Sequence, residues 1–287
     1  MSKNFALIGG DLRIINLAKM FAEDNINVFV YGMEKAEEIY NSNNLYISNT
    51  LEEAISSSDI VIGPIPFSSD NIYINTLYSD KKIPVAELLN AISNQTFIAG
   101  RITDEIQKFL NEKNICSYDL MEQEDLTVLN ALSTAEGAIQ VAMNNSNKLL
   151  HGANVLILGF GRISKILAHK LKALSVNVTC AARKKEDFAW MTSYGYEQLN
   201  INSLGENLKK YDIIFNTVPH LVMTKEKLKY VNNNCILIDL ASKPGGFDKT
   251  ANFIWALALP GKVAPVTSAQ FMKDTIYNII KQREEEK

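Results

Sequence analysis

The sequence predicts an α/β protein of two doubly wound, Rossmann-like domains with parallel sheets, an interdomain cleft, and a C-terminal helix that returns to the first domain. Three observations predict it. An apolar run, Val155 to Leu158, stops at Gly159-Phe160-Gly161 and is followed by a helical pattern and a second strand-like run, Val176 to Ala181. The same order opens the chain, where Phe5-Ala-Leu-Ile-Gly-Gly-Asp-Leu-Arg13 leads through an amphipathic stretch to Val28–Tyr31. Asp59-Ile-Val-Ile-Gly-Pro-Ile-Pro66 also parallels Asp212-Ile-Ile-Phe-Asn-Thr-Val-Pro219, and the two Asp residues lie 50 residues after Gly9 and 53 after Gly159. Continuous apolar runs suit strands buried on both faces, and alternation of strand and helix implies parallel sheets with right-handed crossovers.

Each element has its own signal. In the first half Leu12, Ile15, Leu17, Met20 and Phe21 mark one helix face. Ser133-Thr-Ala-Glu136 matches a capping box, which predicts a connecting helix from about Thr134 to Asn145 that ends in the turn Asn144–Asn147. After the second glycine turn, Ile163, Ile166, Leu167, Leu171 and Leu174 follow a 3.6-residue period. Ser268 to Arg283 carries Phe271, Met272, Ile276, Ile279 and Ile280 on one side, and the final Glu-Glu-Glu-Lys is expected to fray. The predicted division is 1–132 for an N-terminal flavodoxin- or Rossmann-like substrate domain, 133–147 for the connecting helix, 148–265 for the nucleotide domain and 266–287 for the returning helix.

Composition narrows the class of function. The chain has 287 residues, 47% apolar and 21% charged, enough for two ordinary globular cores. A net charge of −3 gives no electrostatic footprint for nucleic acid or an anionic membrane. Cys116, Cys180 and Cys235 are far apart and without metal spacing, so they read as free thiols of a reducing compartment, and no metal is expected. No signal peptide and no apolar stretch approaching the ~20 residues of a membrane span is visible, which makes the cytoplasm the expected location.

The glycine turn after Leu158 predicts a dinucleotide site. Gly159, Phe160, Gly161, Arg162 and Ile163 bring the start of a helix to a pyrophosphate, with Ser164 in the third glycine position. NAD-selective folds place a carboxylate about 20 residues further on to hold the ribose 2′-hydroxyl. Here stand Ala182, Arg183 and Lys184, which predicts NADP, the two cations holding its 2′-phosphate; the alternative is a solvated helix start. Thr217, Val218, Pro219 and Ala241, at strand ends, complete the expected cofactor contacts. His220, next to them, is the candidate general base or else a loop histidine that hydrogen-bonds cofactor or water. Lys262 is a further catalytic or carboxylate-binding candidate, placed with Lys243 on glycine-rich loops. Arg13, Ser68, Ser69, Thr134, Glu136 and Ser242 are the other substrate-binding candidates, each with a plain structural reading as solvated charge or helix cap, and Asp239 is expected to orient its loop.

These motifs together carry a resemblance. Gly9-Gly-Asp-x-Arg13, Leu129-Asn-Ala-Leu-Ser-Thr-Ala-Glu-Gly-Ala-Ile-Gln140, His151-Gly-Ala-Asn-Val-Leu-Ile-Leu-Gly-Phe-Gly-Arg162, Asp239-Leu-Ala-Ser-Lys-Pro-Gly-Gly246 and Trp255–Pro265 are similar to the A subunits of dipicolinate synthase over nearly the whole chain. The resemblance implies oxidation, with a nicotinamide cofactor, of a dihydro- or hydroxy-tetrahydrodipicolinate precursor from the lysine pathway to pyridine-2,6-dicarboxylate during bacterial sporulation, and the residues above make that cofactor NADP. A flavoprotein-like B subunit is the implied partner, and there is room for a homo-oligomer. Two other readings stand beside it. A D-2-hydroxyacid dehydrogenase shares the architecture, but those enzymes carry an Arg after the strand corresponding to Ile236–Leu240, where this chain has Ala241-Ser242-Lys243. A non-catalytic NADP(H)-sensing or scaffold subunit would leave the oxidation to its partner.

Overall fold

The computed structural model describes residues 3–37 and 43–285; Glu286 and Lys287 of the acidic tail, like Met1 and Ser2, lie outside the described residues. The chain divides into two compact units, one comprising the residues up to Leu129 together with those from Ala264 onward, the other Asn130–Val263.

The first unit contains β1 (Phe5–Ile8), α1 (Leu12–Glu23), β2 (Val28–Tyr31), β3 (Leu45–Ile47), α2 (Leu51–Ser56), β4 (Ile60–Ile62), α3 (Val85–Ala91), β5 (Thr96–Ala99), α4 (Asp104–Glu112) and β6 (Ser117–Asp119). Its six-stranded sheet has the order β3-β2-β1-β4-β5-β6 and every recorded pairing is parallel. α5 (Glu124–Asn145) follows, then β7 (Asn154–Leu158), α6 (Arg162–Ala173), β8 (Asn177–Ala182), α7 (Lys185–Ser193), β9 (Glu197–Asn200), β10 (Ile213–Asn216), α8 (Lys225–Leu228), β11 (Ile236–Asp239), β12 (Ile254–Trp255) and α9 (Leu259–Val263). The second sheet, β12-β11-β10-β7-β8-β9, repeats the order of the first with every recorded pairing parallel. Each is the doubly wound arrangement in which strand order reverses beside the first strand.

Alternation along the strands builds a core on each face. Phe5 and Leu7 pack among Ile14, Leu17, Phe21, Met272 and Ile276, whereas Ala6 and Ile8 face Leu51, Phe67, Leu88 and Phe97. In the second unit Val155 and Ile157 pack against Leu167, Leu171 and Met191, and Leu156 and Leu158 against Leu204, Leu208 and Ile214. Burying such a side chain contributes about 2 kcal/mol, which is why these runs carry no polar face.

The paired Asp residues prove to have one job. Asp59 accepts from Asn4 N at 2.8 Å and Asp212 from Asn154 N at 2.9 Å, so each carboxylate tethers the amide that precedes or begins its unit's first strand. They belong to the amino edge of the sheets, away from the ligand edge.

The returning helix is α10 (Pro265–Glu285), which starts three residues before the predicted Ser268 because proline is favoured in a helix's first turn. It packs on α1 in the first unit: Tyr277 meets Phe21 edge-on at 5.5 Å and donates to Asp24, and Lys273 pairs with Asp24 at 2.7 Å.

The predicted start of the connecting helix fails. No helix starts at Thr134, and Ser133-Thr-Ala-Glu136 is not a capping box. α5 is already nine residues long at Ser133, with Glu124 and Asp125 as its acidic first turn. Inside a helix the amides are already bonded. Thr134 therefore donates back to Asn130 O at 2.8 Å, and Glu136 turns instead to Lys170 Nζ, also at 2.8 Å. Residues 133–145 of the predicted connecting segment 133–147 are the last part of this longer helix. Leu174, counted on the α6 core face, is the 40% exposed C-cap residue.

Candidate functional site

The second unit builds a cradle where its strand order reverses, at the carboxyl ends of β7 and β10. Gly159 turns the chain at φ +100°, with its amide tied to Ala181 O at 2.8 Å. A Cβ there would lie 2.4 Å from Thr217 Oγ1, so only glycine fits. Gly161 is the N-cap of α6 and offers no side-chain cap; a Cβ on it would meet no atom within 4 Å. The first turn of a twelve-residue helix thus receives no acceptor from its own cap, and no atom occupies the place of a cap side chain. A helix start of this kind has the donors and the dipole that suit an anion.

Ser164, the departure from a third glycine, is fully buried and hydrogen-bonds Thr217 Oγ1 at 2.8 Å, while Thr217 donates to Leu158 O at 2.9 Å. The hydroxyl pins α6 to the β7 and β10 ends, the close packing for which a small residue is needed. Phe160 is buried, Ile163 half-buried, and Arg162 exposed at the first helical position.

At the end of β8, Ala181 and Ala182 are buried, and Arg183 and Lys184 are exposed with no ion pair or side-chain hydrogen bond among the described residues. Lys184 is the N-cap of α7, whose first turn carries Glu186 and Asp187, two carboxylates that the sequence reading passed over.

The ends of β10 and β11 are locked together by a buried polar pair. Asn216 Nδ2 donates to Asp239 Oδ1 at 2.7 Å and to Val218 O at 2.9 Å, and its Oδ1 accepts from Val218 N at 3.1 Å. Asp239 also accepts from Ala241 N at 3.0 Å and Gly246 N at 2.7 Å. Three N–H donors replace a counter-cation for this fully buried carboxylate. Gly246 is obligatory, since a Cβ would lie 2.3 Å from Asn216 Nδ2. Trp255 Nε1 closes the loop on Ala241 O at 2.9 Å. Sequence reasoning missed Asn216; its signal was a lone amide ending an otherwise apolar strand.

From this frame Thr217 and Val218 emerge half-buried and Pro219 and His220 exposed; Ser242 is half-buried and Lys243 exposed. Lys262 does not lie on a loop: Leu259 to Val263 form the helical turn α9, on which Lys262 is exposed. Gly137 leaves α5 room for this turn, since a Cβ there would meet Leu259 at 3.0 Å and Val263 at 3.1 Å.

In the first unit Arg13 is 5% exposed, and Asp11 takes its guanidinium through contacts of 2.8–3.1 Å while Ile65 O accepts a further hydrogen bond. Ser68 is buried, donates to Tyr73 O at 2.7 Å and accepts from Asn71 N at 2.9 Å; the exposed Ser69 bonds Asn75 Oδ1 at 3.0 Å. Thr134 and Glu136 are occupied within the second unit as described above.

Burial pushes the Cys180 thiol up to about 12, and burial with Asp212 nearby does the same for Cys235, so neither offers a thiolate at neutral pH. Among the described residues no cluster of His, Cys, Asp or Glu could hold a metal ion, and no helix is long and apolar enough to cross a membrane.

Comparison with known proteins bears on both units. Residues 4–121 match the N-terminal domain of the dipicolinate synthase A subunit, and residues 131–243 the NAD-binding domain of D-isomer-specific 2-hydroxyacid dehydrogenases. The chain is 24% identical over 283 residues to the A subunit of dipicolinate synthase from Bacillus subtilis, covering 96% of this chain and 95% of that protein. The crystal structure of the A subunit from Bacillus halodurans superposes with a TM-score of 0.86 at 25% identity, covering 97% of this chain and 98% of the other. A transhydrogenase from Sinorhizobium meliloti shares the fold at a TM-score of 0.67 and 14% identity, over 98% and 94% of the two chains. Along its length the chain thus resembles the A subunit of dipicolinate synthase, and it is an NAD(P)-dependent oxidoreductase.

Proposed function

We propose that this relative of the dipicolinate synthase A subunit oxidises a dihydro- or hydroxy-tetrahydrodipicolinate precursor to pyridine-2,6-dicarboxylate with NADP, in the cytoplasm of a sporulating bacterium. The observation that carries the reading is the uncapped, sterically open α6 start at Gly161, in a chain that resembles that subunit from end to end.

Gly159, Phe160, Gly161, Arg162 and Ile163 hold the pyrophosphate, and Ala182, Arg183 and Lys184 receive the 2′-phosphate of the adenosine ribose. Thr217, Val218, Pro219 and Ala241 form the wall beside the nicotinamide, kept in place by Asn216 and Asp239. Bound there, the nicotinamide supplies a two-electron hydride acceptor. Aromatisation of a dihydro ring removes one hydride and one proton, and a hydroxy-tetrahydro precursor must lose water as well. His220, exposed on the strand-end loop, takes the proton on its imidazole, while Lys262, Ser242 and Lys243 offer charge and hydrogen bonds to the dicarboxylate. The partner is a flavoprotein-like B subunit. Glu186 and Asp187 favour the competing preference, NAD, because a carboxylate near the ribose selects against a 2′-phosphate.

The reaction is tested by co-expressing the chain with a B subunit, supplying the lysine-pathway precursor and following the ultraviolet absorption of the pyridine product. NADP-dependent product is expected; none with both subunits present turns the assignment to a hydroxyacid substrate or a sensing subunit. His220→Asn is expected to lower turnover.

A further inference from the structure

We infer that Arg101 grips one carboxylate of the substrate in the N-terminal unit; the inference rests on the dicarboxylate reading above. Arg101 follows β5 after Gly100, at the carboxyl edge of the first sheet, where doubly wound folds bind ligands. The loop after β5 is joined to the loop after β4: Gly100 N donates to Pro64 O at 3.1 Å, and Phe67 N to Gly100 O at 2.7 Å. Arg101 and the pair Ser68-Ser69 therefore continue from bonded neighbours on adjacent loops.

Its backbone is held in a conformation that arginine does not choose. Arg101 has φ +59°. Among the described residues with positive φ other than glycine, Asn25, Asn44, Asn71 and Asn114 are of the type that tolerates it, Ser175 follows the C-cap of α6, and Ala258, with the smallest side chain, stands just before α9. Arg101 ends no helix. Asp119 holds it there, accepting from Arg101 N at 2.8 Å, Ile102 N at 2.6 Å and Met121 N at 2.7 Å. Gly100 cannot relax the turn, because a Cβ on it would lie 2.3 Å from the Ile65 side chain. Glycine would serve at position 101 with less strain, so the side chain needs a reason to be there.

The reason we assign is its charge. The Arg101 side chain is exposed and makes no ion pair or hydrogen bond among the described residues. Asp119 is saturated by amides, and Asp104 and Glu105 in the first turn of α4 form no ion pair with it. Several other cations of this unit are engaged: Arg13 by Asp11 and Ile65 O, Lys35 by Asp80, Lys81 by Glu34, while Lys82 lies over the Tyr73 ring. A guanidinium carried on a backbone that Asp119 holds, with all its donors open, is a fork for a carboxylate.

The test is calorimetric titration of the full chain and of Arg101→Gly and Arg101→Lys with pyridine-2,6-dicarboxylate, pyridine-2-carboxylate and NADPH. The unmodified chain is expected to prefer the dicarboxylate by about 10-fold or more. In R101G that preference falls to about 2-fold or less, with NADPH affinity unchanged and the thermal midpoint equal or higher, since glycine relieves the turn. R101K, a point charge without the fork, retains an intermediate preference. An R101G chain that keeps the full preference, or loses NADPH affinity and midpoint together, overturns the assignment and leaves the dicarboxylate reading intact. If the unmodified chain itself fails to take up the dicarboxylate, the substrate reading falls and the role of Arg101 with it.

Discussion

The two units share one blueprint and differ at one turn. Both sheets have the same strand order, both tether their first strand through an Asp carboxylate, and both tie the first glycine after that strand to the neighbouring strand, Gly9 N to Tyr31 O and Gly159 N to Ala181 O, each at 2.8 Å. From there they diverge. In the first unit Gly10 N donates to Asn75 O at 2.8 Å, Leu77 N donates to Gly10 O at 3.0 Å, and Asp11 caps α1 with a carboxylate that also holds Arg13. Its helix start is closed by the protein's own chain and own anion. In the second unit the equivalent cap is Gly161, which has no side chain and no neighbour where a Cβ would be. Sheet order alone therefore does not make a nucleotide site; the residue at the helix cap and the loop over the glycine turn decide which unit has room for a pyrophosphate.

That difference is breakable. The backbone at Gly161 (φ −84°, ψ −164°) lies close to that of Asp11 (φ −115°, ψ −169°), so Gly161→Asp should fold and give α6 a carboxylate cap like that of α1. We expect an increase in stability of about 0.5 kcal/mol with NADPH affinity reduced at least about 100-fold, measured by thermal melts and fluorescence titration. The reciprocal change, Asp11→Asn, leaves the 5% exposed Arg13 without its counter-ion; a loss of about 3 kcal/mol is expected in denaturant unfolding, with NADPH affinity untouched. A smaller effect concerns cofactor choice. Arg183→Asp should lower NADPH affinity about 10- to 100-fold and leave NADH binding unchanged or improved, so that the preference is lost. Equal affinities of the unmodified chain for the two would remove the 2′-phosphate assignment.

Asn216→Ala strips Asp239 of a side-chain donor and Val218 of both its bonds. A destabilisation of about 2 kcal/mol is expected in urea, with Asn216→Asp no better because it sets a second carboxylate against the first. The smallest effect belongs to the first unit. Burial alone would raise the Asp24 pKa, but hydrogen bonds from Lys273 and Tyr277 and the Lys273 charge hold it below the usual carboxylate value. A depressed folded pKa contributes stability that is present above the unfolded value, near 4, and lost as the pH falls through the lower folded value. Asp24→Asn should therefore flatten the acid side of the stability profile by under about 1 kcal/mol, the site being partly open to solvent.

The sequence made the architecture legible because its signals were local and repeated: an apolar strand, glycines, an amphipathic helix, twice over. It misled where a local pattern was overruled by its surroundings. Ser133-Thr-Ala-Glu136 has the letters of a capping box, yet Glu124 and Asp125 had already begun the helix upstream, and small residues at 135, 138 and 142 let it pack onward in the second unit. Arg13 reads as a free receptor until Asp11 and Ile65 are seen to surround it. The Asn216–Asp239 pair and the clamp of Asp119 on Arg101 were out of reach because they join residues 23 and 18 positions apart across neighbouring strands. Cofactor choice stayed the hardest reading, since only Lys185 separates Arg183 and Lys184 from Glu186 and Asp187.

Backbone hydrogen exchange with and without NADPH tests the contrast between the two glycine turns most directly. The account predicts strong new protection of the amides from Gly161 to Ser164 and none from Asp11 to Ile14. Equal protection at both turns, or protection confined to the first, would contradict it.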